Sequence, residues 1–310
     1  MIYGGIDAGG TSTKCILVDD TGQELARVKT GPANYQVVGL EKAVGEIRRA
    51  VKLACQQAGL TEVDVLGIGM AGAGRREDID RIREKLIPIE QVKRTYLTDD
   101  GEIGVLGAHG GKCGIVLIAG TGSIVYGIKE DGATIRGGGW GPFLGDEGSG
   151  FWIGLESLKA AIKSVENRGE KTRLVEIVKD KLGLDDLREL IPFVYQKELP
   201  RTEIASLAPE VINLMSRDQV ADGIIRKGID ELIRTIEGVK AQLNIAIEEV
   251  AVSGGLFESQ SFYQLFTKEL KNKTGLILTR PSYSAVYGAV FYGARQIDSS
   301  FVLMEGENSG

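Results

Sequence analysis

Hydroxyl-bearing residues and glycines follow a single acidic residue near the start of the chain, in the run GGIDAGGTSTKCILVDD. Glycine leaves backbone N–H groups uncovered, so a turn of this composition can cradle the anionic oxygens of a phosphate. The acid in front of it suits a hard cation that bridges the phosphates of a nucleotide, since such cations take oxygen ligands. The run therefore predicts Mg²⁺ binding at Asp7 and phosphate binding at Gly9, Gly10, Thr11, Ser12, Thr13 and Lys14.

A second turn of the same kind lies in the run GIVLIAGTGSIVYG, which begins at Gly114. The two runs align without gaps, Gly10 with Gly120, and Leu117 stands where the first copy has Asp7. The acid is therefore separate from the phosphate cradle. Taken singly, either turn is equally well explained as a tight hairpin whose glycines supply positive φ. The occurrence of both in one register favours phosphate binding, in the second copy by Gly120, Thr121 and Gly122.

Two adjacent acids stand in the run LTDDGEIG, where a strand is predicted to enter a helix. Successive residues of a strand point to opposite faces, so Asp99 and Asp100 cannot both reach one site. One of them is a candidate general base for a hydroxyl nucleophile. The other suits the N-cap of the following helix.

The elements that position these residues alternate between strand and helix, as in an α/β fold. The first half is predicted to contain strands at 2–7, 14–19 and 23–29, a helix at 38–58, a strand at 63–69, a helix at 75–87, a strand at 93–98 and a helix at 102–109. A second antiparallel meander follows, and the segment 154–247 is predicted to be helical, with one long amphipathic helix from Ile225 to Ile247. A closing helix is expected at 284–297, with a loosely ordered tail at 299–310. The repeated meander predicts two similar lobes.

Composition limits the classes of partner. The chain has 310 residues, a net charge of −6 and a pI of about 5.2, which argue against a nucleic-acid or anionic-membrane surface. Three scattered cysteines, Cys15, Cys55 and Cys113, form no CxxC pair, and His109 is the one histidine. A Ser-His-Asp triad and a histidine-rich metal site are therefore not expected. We expect a cytoplasmic protein that acts on small molecules, with no secretory leader and no membrane span.

The motifs together resemble the BadF/BadG/BcrA/BcrD ATPase family of the actin-like ATPase and sugar kinase superfamily, and within it the kinases of N-acetylglucosamine and N-acetylmuramic acid. The resemblance covers about residues 2 to 296. It is carried by IDAGGTSTK, by GTGS, by EVAVSGGLF at 249–257 and, most specifically, by GGGWGPFLGDEGSGFWIG at 137–154. Gly254 and Gly255 match the family's adenosine loop.

The resemblance implies an α/β fold of two ribonuclease-H-like lobes, the actin-like ATPase fold, with ATP and sugar bound in the cleft between them. The lobes are expected at 1–112 and 113–298, the second with a helical insertion. The helix at 284–297 is expected to pack back on the first lobe. A homodimer is implied as well.

The resemblance also implies roles for residues. Relatives carry an Asp followed by a small residue at the base position, which selects Asp100, next to Gly101. Asn34, followed by Tyr35, matches the sugar-binding asparagine, with a turn residue as the alternative. The GDEG match assigns Asp146 to sugar hydroxyls, with helix capping as the alternative. The remaining sugar contacts are expected from Ser123, Gly138, Gly139, Trp140 and Gly141, with a core position as the alternative for Trp140.

The implied reaction is transfer of the γ-phosphoryl group of ATP, with Mg²⁺, to the 6-hydroxyl of an amino sugar, with N-acetylglucosamine as the first candidate. N-acetylmuramate and glucosamine are alternatives. Another is the dehydratase-activating ATPase of the same family, which needs cysteines that hold an iron–sulfur cluster. A third, a sugar-sensing regulator, usually adds a helix-turn-helix, for which no room is expected before the strand that starts at Ile2.

Overall fold

The computed structural model describes residues 1–298, 301 and 303, without the side chain of Arg76. Most of the predicted tail at 299–310 lies outside the described residues. By contacts the chain divides into two compact units. The first comprises residues 1–114, 127–134 and the segment from Arg280 onward, and the second comprises 115–126 and 135–279.

The elements of the first unit form one sheet and its helices. The strands are β1 (Tyr3–Ala8), β2 (Thr13–Val18), β3 (Glu24–Thr30), β4 (Val63–Met70) and β5 (Val92–Asp99). The helices are α1 (Tyr35–Val38), α2 (Leu40–Ala58), α3 (Arg76–Leu86), α4 (Asp100–Ala108) and, from the end of the chain, α12 (Ala285–Arg295).

The elements of the second unit follow the same plan with more helices. Its sheet contains β6 (Gly114–Ala119), β7 (Ser123–Ile128), β8 (Thr134–Gly138), β9 (Glu249–Ser253) and β10 (Ile277–Thr279). Its helices are α5 (Gly150–Val165), α6 (Leu174–Leu182), α7 (Leu190–Val194), α8 (Arg201–Ala205), α9 (Ala208–Leu214), α10 (Gln219–Leu243) and α11 (Gln260–Thr274). Short 3₁₀ turns cover Leu187–Glu189 and Gly255–Glu258.

The two sheets have equivalent strand orders, β3-β2-β1-β4-β5 and β8-β7-β6-β9-β10. In the first sheet β1 pairs antiparallel with β2 and parallel with β4, and β4 pairs parallel with β5. In the second sheet β6 and β10 pair parallel with β9. The carboxyl ends of β1, β4 and β5 therefore lie at one edge, where ligands of α/β sheets commonly bind.

Helix α12 packs directly on the first sheet because glycines remove the side chains beneath it. A Cβ at Gly5 would lie 2.2 Å from the Val286 carbonyl oxygen, and one at Gly67 would lie 1.9 Å from the Ala289 oxygen. On the other face, α2 buries Ile47 and Val51 in a core with Ile6. Both faces of the sheet are thus covered, which fixes its parallel strands.

Helix α10 contributes to the core of the second unit along its whole length, with buried side chains that recur at helical spacing. The predicted helix is wrong at its end. It stops at Leu243 because Asn244 adopts the left-handed conformation, with φ of 56°, so Ile247 lies beyond it. In the described part of the chain, no helix has the length and apolar character that a membrane crossing needs.

Candidate functional site

The turn after β1 is closed by its own backbone. Gly9 N–H donates to the Ser12 carbonyl at 3.1 Å, and the Gly9 carbonyl accepts from Ala33 and Asn34 at 3.0 and 3.2 Å. The turn is therefore tied to the segment that carries the predicted sugar-binding asparagine. At the end of β1, the Asp7 carboxylate lies 3.5 Å from the Lys14 ammonium.

The glycines of this turn do not have positive φ: Gly9 leaves room for the Ser12 carbonyl oxygen, 3.1 Å from a Cβ there, and Gly10 leaves the backbone accessible. Neither Gly9 nor Gly10 is among the described glycines with positive φ. A Cβ at Gly10 would meet no atom within 4 Å, and Gly10 and Thr11 are exposed. The backbone of the turn is thus open to an incoming anion, as a phosphate cradle requires.

Thr13 is a predicted phosphate contact whose hydroxyl points toward its own protein backbone. Its side chain is fully buried and donates to the Gly31 carbonyl at 2.8 Å, which ties the start of β2 to the end of β3. A hydroxyl held in this way stabilises the turn and is not presented to a phosphate. The expected direct contact through this hydroxyl is therefore replaced by a supporting one.

Asp7 and the adjacent acids lie at the same edge of the first sheet. Asp7 pairs with Gly69, and Gly69 pairs in turn with Thr98, so Asp7 and the end of β5 are two strands apart. Strand spacing puts their backbones about 10 Å apart. Asp99 is the N-cap of α4, where its Oδ1 accepts from Glu102 N–H at 2.9 Å.

Asp100 is the first residue of α4 and is exposed. Desolvation by the surrounding protein, followed by the negative charges of Asp99 and Asp7, raises the pKa of its carboxyl. A carboxylate with a raised pKa is a stronger base toward a hydroxyl proton. The sequence predicts one of the two acids as a helix cap and the other as a general base. The capping hydrogen bond of Asp99 agrees with this prediction, and Asp100 remains accessible.

Glu102 is a titratable residue near the acids that the sequence analysis missed. Its carboxylate accepts a hydrogen bond from the Thr98 hydroxyl, which is almost fully buried. The pKa of Glu102 is raised to about 7, mainly by desolvation and also by the charge of Asp99, against the Thr98 hydrogen bond, which lowers it. The spacing Asp99-x-x-Glu102 is that of a capping box and was the available signal.

Asn34 and Tyr35 begin the short helix α1. Asn34 is its N-cap, with Oδ1 accepting from Gln36 N–H at 3.1 Å, so its side chain makes a local contact of the kind that the turn-residue alternative implies. The Gln36 amide reaches the Gly72 carbonyl at 3.0 Å and Tyr35 Oη at 3.4 Å. The side-chain oxygen of Asn34 is thus used locally, and sugar binding would rest mainly on its amide N–H donors.

In the second unit, the GTGS turn rests on the start of α5. Gly150 and Phe151 N–H groups donate to the Gly120 and Thr121 carbonyls at 2.8 and 3.1 Å. Ser123 is 8% exposed, and its hydroxyl donates to the Glu147 carbonyl at 2.9 Å. Ser123 therefore holds the turn against the GDEG segment, a contact that the sequence did not indicate.

Asp146 packs on the same turn. A Cβ at Gly122 would lie 2.8 Å from Asp146 Oδ2, so glycine is needed there to admit the carboxylate. The Asp146 side chain is 5% exposed, and Arg201 Nη2 donates to Oδ2 at 3.3 Å. Asp146 also has φ of 59°, a left-handed conformation that is uncommon outside glycine. The helix-capping alternative is wrong, because Ser149 caps α5.

The glycines of the GGGWG run bend the chain sharply. Gly138, Gly139 and Gly141 have φ of 71°, 68° and 83°. Trp140 is 66% exposed and lies under the Arg136 guanidinium, 5.1 Å from the ring centre. The alternative that Trp140 is a core residue is therefore wrong.

The predicted adenosine loop contacts the GTGS turn. Gly254 has φ of 102°, and a Cβ there would lie 2.4 Å from the Ala119 carbonyl oxygen. A Cβ at Gly120 would lie 3.8 Å from Gly255 N, so the two turns are neighbours. A cavity of about 650 Å³ opens beside them, lined by Pro209, Ile212, Asn213, Gly255, Leu256, Glu258, Ser259, Gln260, Ser261 and Gln264.

Among the described residues, the candidate metal ligands are isolated side chains rather than clusters. There, no three His, Cys, Asp or Glu side chains group as metal ligands. Cys15 and Cys55 are buried in the first unit, and the Cys113 thiol donates to the Lys129 carbonyl at 3.3 Å. The Asp7 carboxylate is 20% exposed, so its oxygens are partly open to a ligand.

The two equivalent five-stranded sheets with their helices define a two-lobed protein of the actin-like ATPase fold, and the predicted fold class is confirmed. The model of the BadF/BadG/BcrA/BcrD ATPase family matches residues 5–293. The chain belongs to this family.

Relatives with assigned activities match nearly the whole chain. It is 32% identical to the N-acetylmuramic acid/N-acetylglucosamine kinase of Clostridium acetobutylicum, over 95% of this chain and 98% of that protein. It is also 32% identical to the N-acetyl-D-glucosamine kinase of Dictyostelium discoideum, over 83% and 86% of the two chains. A solved structure from Chromobacterium violaceum, provisionally named an N-acetylglucosamine kinase, superposes with a TM-score of 0.72 at 27% identity, covering 93% of this chain and 97% of that one.

Proposed function

We propose that this protein is an ATP-dependent kinase that transfers the γ-phosphoryl group to the 6-hydroxyl of an amino sugar, with N-acetylglucosamine as the first substrate to test. The observation that carries the proposal is the shared sheet edge that holds Asp7 and Asp100. The family membership and the activities named for the two relatives support it.

The proposed nucleotide contacts are backbone groups of two glycine turns, at 9–12 and 120–122. The open backbone around Gly10 supports this role in the first turn. Gly254 and Gly255 would contact the adenosine, with the base in the adjoining cavity of about 650 Å³. A cavity of this size is ordinary for a small ligand.

Asp7 is the proposed residue for Mg²⁺, which binds few protein oxygens when it is also held by phosphates. Its carboxylate is 20% exposed, which leaves room for contact through water. When bound, the ion neutralises charge on the transferring phosphoryl group. Lys14, 3.5 Å away, adds a positive charge on the same side.

Asp100 is the proposed general base. It accepts the proton of the 6-hydroxyl as that oxygen bonds to the γ-phosphorus and the bond to the β-phosphate oxygen breaks. Its exposure and raised pKa support this role. Asp99 holds the first turn of α4 and thereby the backbone that carries Asp100.

The proposed sugar contacts are side-chain and backbone groups of the motifs that resemble the family's sugar-binding segments. Asn34 would donate its amide N–H groups, and Asp146 would accept from sugar hydroxyls. Tyr35, the Ser123 oxygen as an acceptor and the backbone around Trp140 complete the proposed set. The proposed setting is the cytoplasm, and the proposed assembly is a homodimer, as the family resemblance implies.

The deciding measurement is ADP release with ATP, Mg²⁺ and one sugar at a time: N-acetylglucosamine, N-acetylmuramate, glucosamine or glucose. Sugar-dependent ADP release and a 6-phosphorylated product, identified by NMR, would support the proposal. ADP release that no sugar stimulates would contradict it. In that case, iron bound to the purified protein would favour the dehydratase-activating ATPase.

A further inference from the structure

Arg201 is held beside Asp146 by the packing of two helices. A Cβ at Gly154 on α5 would lie 2.0 Å from the Ile204 carbonyl oxygen on α8. A Cβ at Gly150 would lie 3.5 Å from Ala205 Cβ. The two glycines therefore let α8 lie directly on the first turns of α5. Arg201, the first residue of α8, is set at the end of this contact.

The ion pair uses little of the guanidinium. One nitrogen, Nη2, meets one oxygen of Asp146 at 3.3 Å, whereas guanidinium and carboxylate can form two parallel hydrogen bonds. Within residues 1–298, 301 and 303, the other guanidinium N–H groups have no acceptor. Arg201 is 43% exposed while Asp146 is 5% exposed, so the unused donors face solvent.

The Arg201 guanidinium has five N–H donors, and the hydrogen bond to Asp146 uses one of them. Desolvated carboxylates need a counter-charge, which explains why an arginine is present. A lysine would serve that need as a point charge, but it lacks the planar fork with which an arginine can pair with two carboxylates in fixed geometry. The exposed edge of Arg201 therefore suits a second anion next to the group that Asp146 binds.

We propose that Arg201 is a specificity residue that recognises a carboxylate on the acceptor sugar and so favours carboxylate-bearing amino sugars. The inference rests on the proposed function, in which Asp146 binds sugar hydroxyls. N-acetylmuramate carries a lactyl carboxylate that N-acetylglucosamine lacks, so the two sugars form a matched pair of probes. Arg201 donates to both carboxylates when N-acetylmuramate is bound, and to Asp146 alone when N-acetylglucosamine is bound.

The test is kcat/KM for both sugars in the wild type, Arg201→Gln and Arg201→Lys, with ATP saturating. Loss of a charged hydrogen-bond partner predicts that Arg201→Gln lowers the ratio of N-acetylmuramate to N-acetylglucosamine activity by about ten- to a hundredfold. Arg201→Lys should keep part of the ratio, since it retains the charge. Arg234→Gln, at an exposed residue of α10 paired with Glu231, is the control and should match the wild type.

The ratio separates sugar recognition from support of Asp146, because an unpaired Asp146 affects both sugars alike. An unchanged ratio of N-acetylmuramate to N-acetylglucosamine activity in Arg201→Gln would overturn the inference and leave the kinase proposal intact. A wild-type protein that phosphorylates N-acetylglucosamine but not N-acetylmuramate would do the same. A wild type inactive on every amino sugar would overturn both proposals. If a variant folds but has no turnover, isothermal titration measures its affinity for each sugar instead. The ratio of the two affinities is then expected to fall as the activity ratio does.

Discussion

At the scale of single residues, the carboxylates at the edge of the first sheet have distinct environments. Asp99 is occupied as an N-cap, Asp100 is exposed, and Glu102 is turned toward Thr98. The negative charge of Asp99 raises the pKa of both Asp100 and Glu102, after desolvation, which is the larger cause. The three neighbouring carboxylates therefore differ in hydrogen-bond partner and in accessibility.

Replacement of Asp100 by Asn removes the proposed base without changing its size. We expect kcat to fall by roughly two to four orders of magnitude while ATP and sugar still bind, since the variant loses proton transfer but keeps hydrogen bonding. ADP-release kinetics and isothermal titration measure the two effects. Asp20→Asn, at an exposed acid beside the N-terminus, is the control. Unchanged turnover in Asp100→Asn would remove this residue from the reaction.

Glu102 predicts a pH dependence of stability. Its pKa is raised from 4.5 to about 7 in the folded protein, so the folded state holds the proton more tightly than the unfolded state. The stabilisation is complete below about pH 4.5 and is lost as the pH rises to about 7. The shift corresponds to at most about 3 kcal/mol. Glu102→Gln should therefore lose less stability than the wild type between pH 5 and 7, measured by urea unfolding.

Parallel pH profiles of the wild type and Glu102→Gln would contradict this assignment. The comparison of the two proteins cancels the titration of other groups. Asp100, whose pKa is also raised, contributes a change of the same sign that both proteins share.

At the scale of elements, glycines set how closely helices approach. A Cβ at Gly288 on α12 would lie 1.7 Å from the Ile103 carbonyl oxygen on α4. Gly104 on α4 has no atom within 4 Å of its Cβ position. These two positions form a matched pair, because they are helical glycines in one unit with opposite surroundings.

Gly288→Ala is expected to destabilise the protein by about 1–3 kcal/mol, since the backbone of α4 must move. Gly104→Ala is expected to stabilise it by about 0.5–1 kcal/mol through helix propensity. Denaturant midpoints measure both effects. Because α4 begins at Asp100, Gly288→Ala should also lower kcat. Equal stability of the two variants would show that the close crossing is relaxed in solution.

Periodicity and turn chemistry predicted most elements to within a few residues, and the exceptions have physical causes. The helix expected at 38–58 is split, because Gly39 adopts φ of 83° between α1 and α2. The helix expected to reach Ile247 ends early at the left-handed Asn244. Backbone choices of this kind depend on local packing, which apolar spacing does not report.

The candidate site was predictable where a motif is local in sequence and not where packing creates it. Asp7, Asp100 and Asp146 stand in short motifs. Arg201 stands in none, because its place beside Asp146 results from the packing of α8 on glycines of α5. Trp140 was ambiguous because a tryptophan among glycines fits a core or a surface equally well.

At the scale of the whole molecule, ligand binding should raise stability by mass action. ADP with Mg²⁺ at about a hundred times its Kd adds about 2.7 kcal/mol to the unit that binds it. If Asp7 holds the ion, Asp7→Asn should lose the part of the thermal shift that disappears on adding EDTA. Asp20→Asn should keep that part. A shift in Asp7→Asn equal to that of the wild type would place the ion elsewhere.

The chain repeats one strand plan twice but assigns different residues to each copy. Each unit has a glycine turn after its first strand, but Asp7 precedes the first turn where Leu117 precedes the second, and the second turn is held by α5. The equivalent strand orders account for the alignment of the two glycine turns in sequence. The acid that precedes the first turn alone is a difference between the two copies.

The left-handed backbone conformation of Asp146 limits which residue types can occupy this position during evolution. Few residues besides glycine, asparagine and aspartate tolerate that conformation without strain. Substitutions at this position are thus confined to these few residue types. A lineage that adapts to a new acceptor must therefore change neighbouring positions of ordinary backbone geometry.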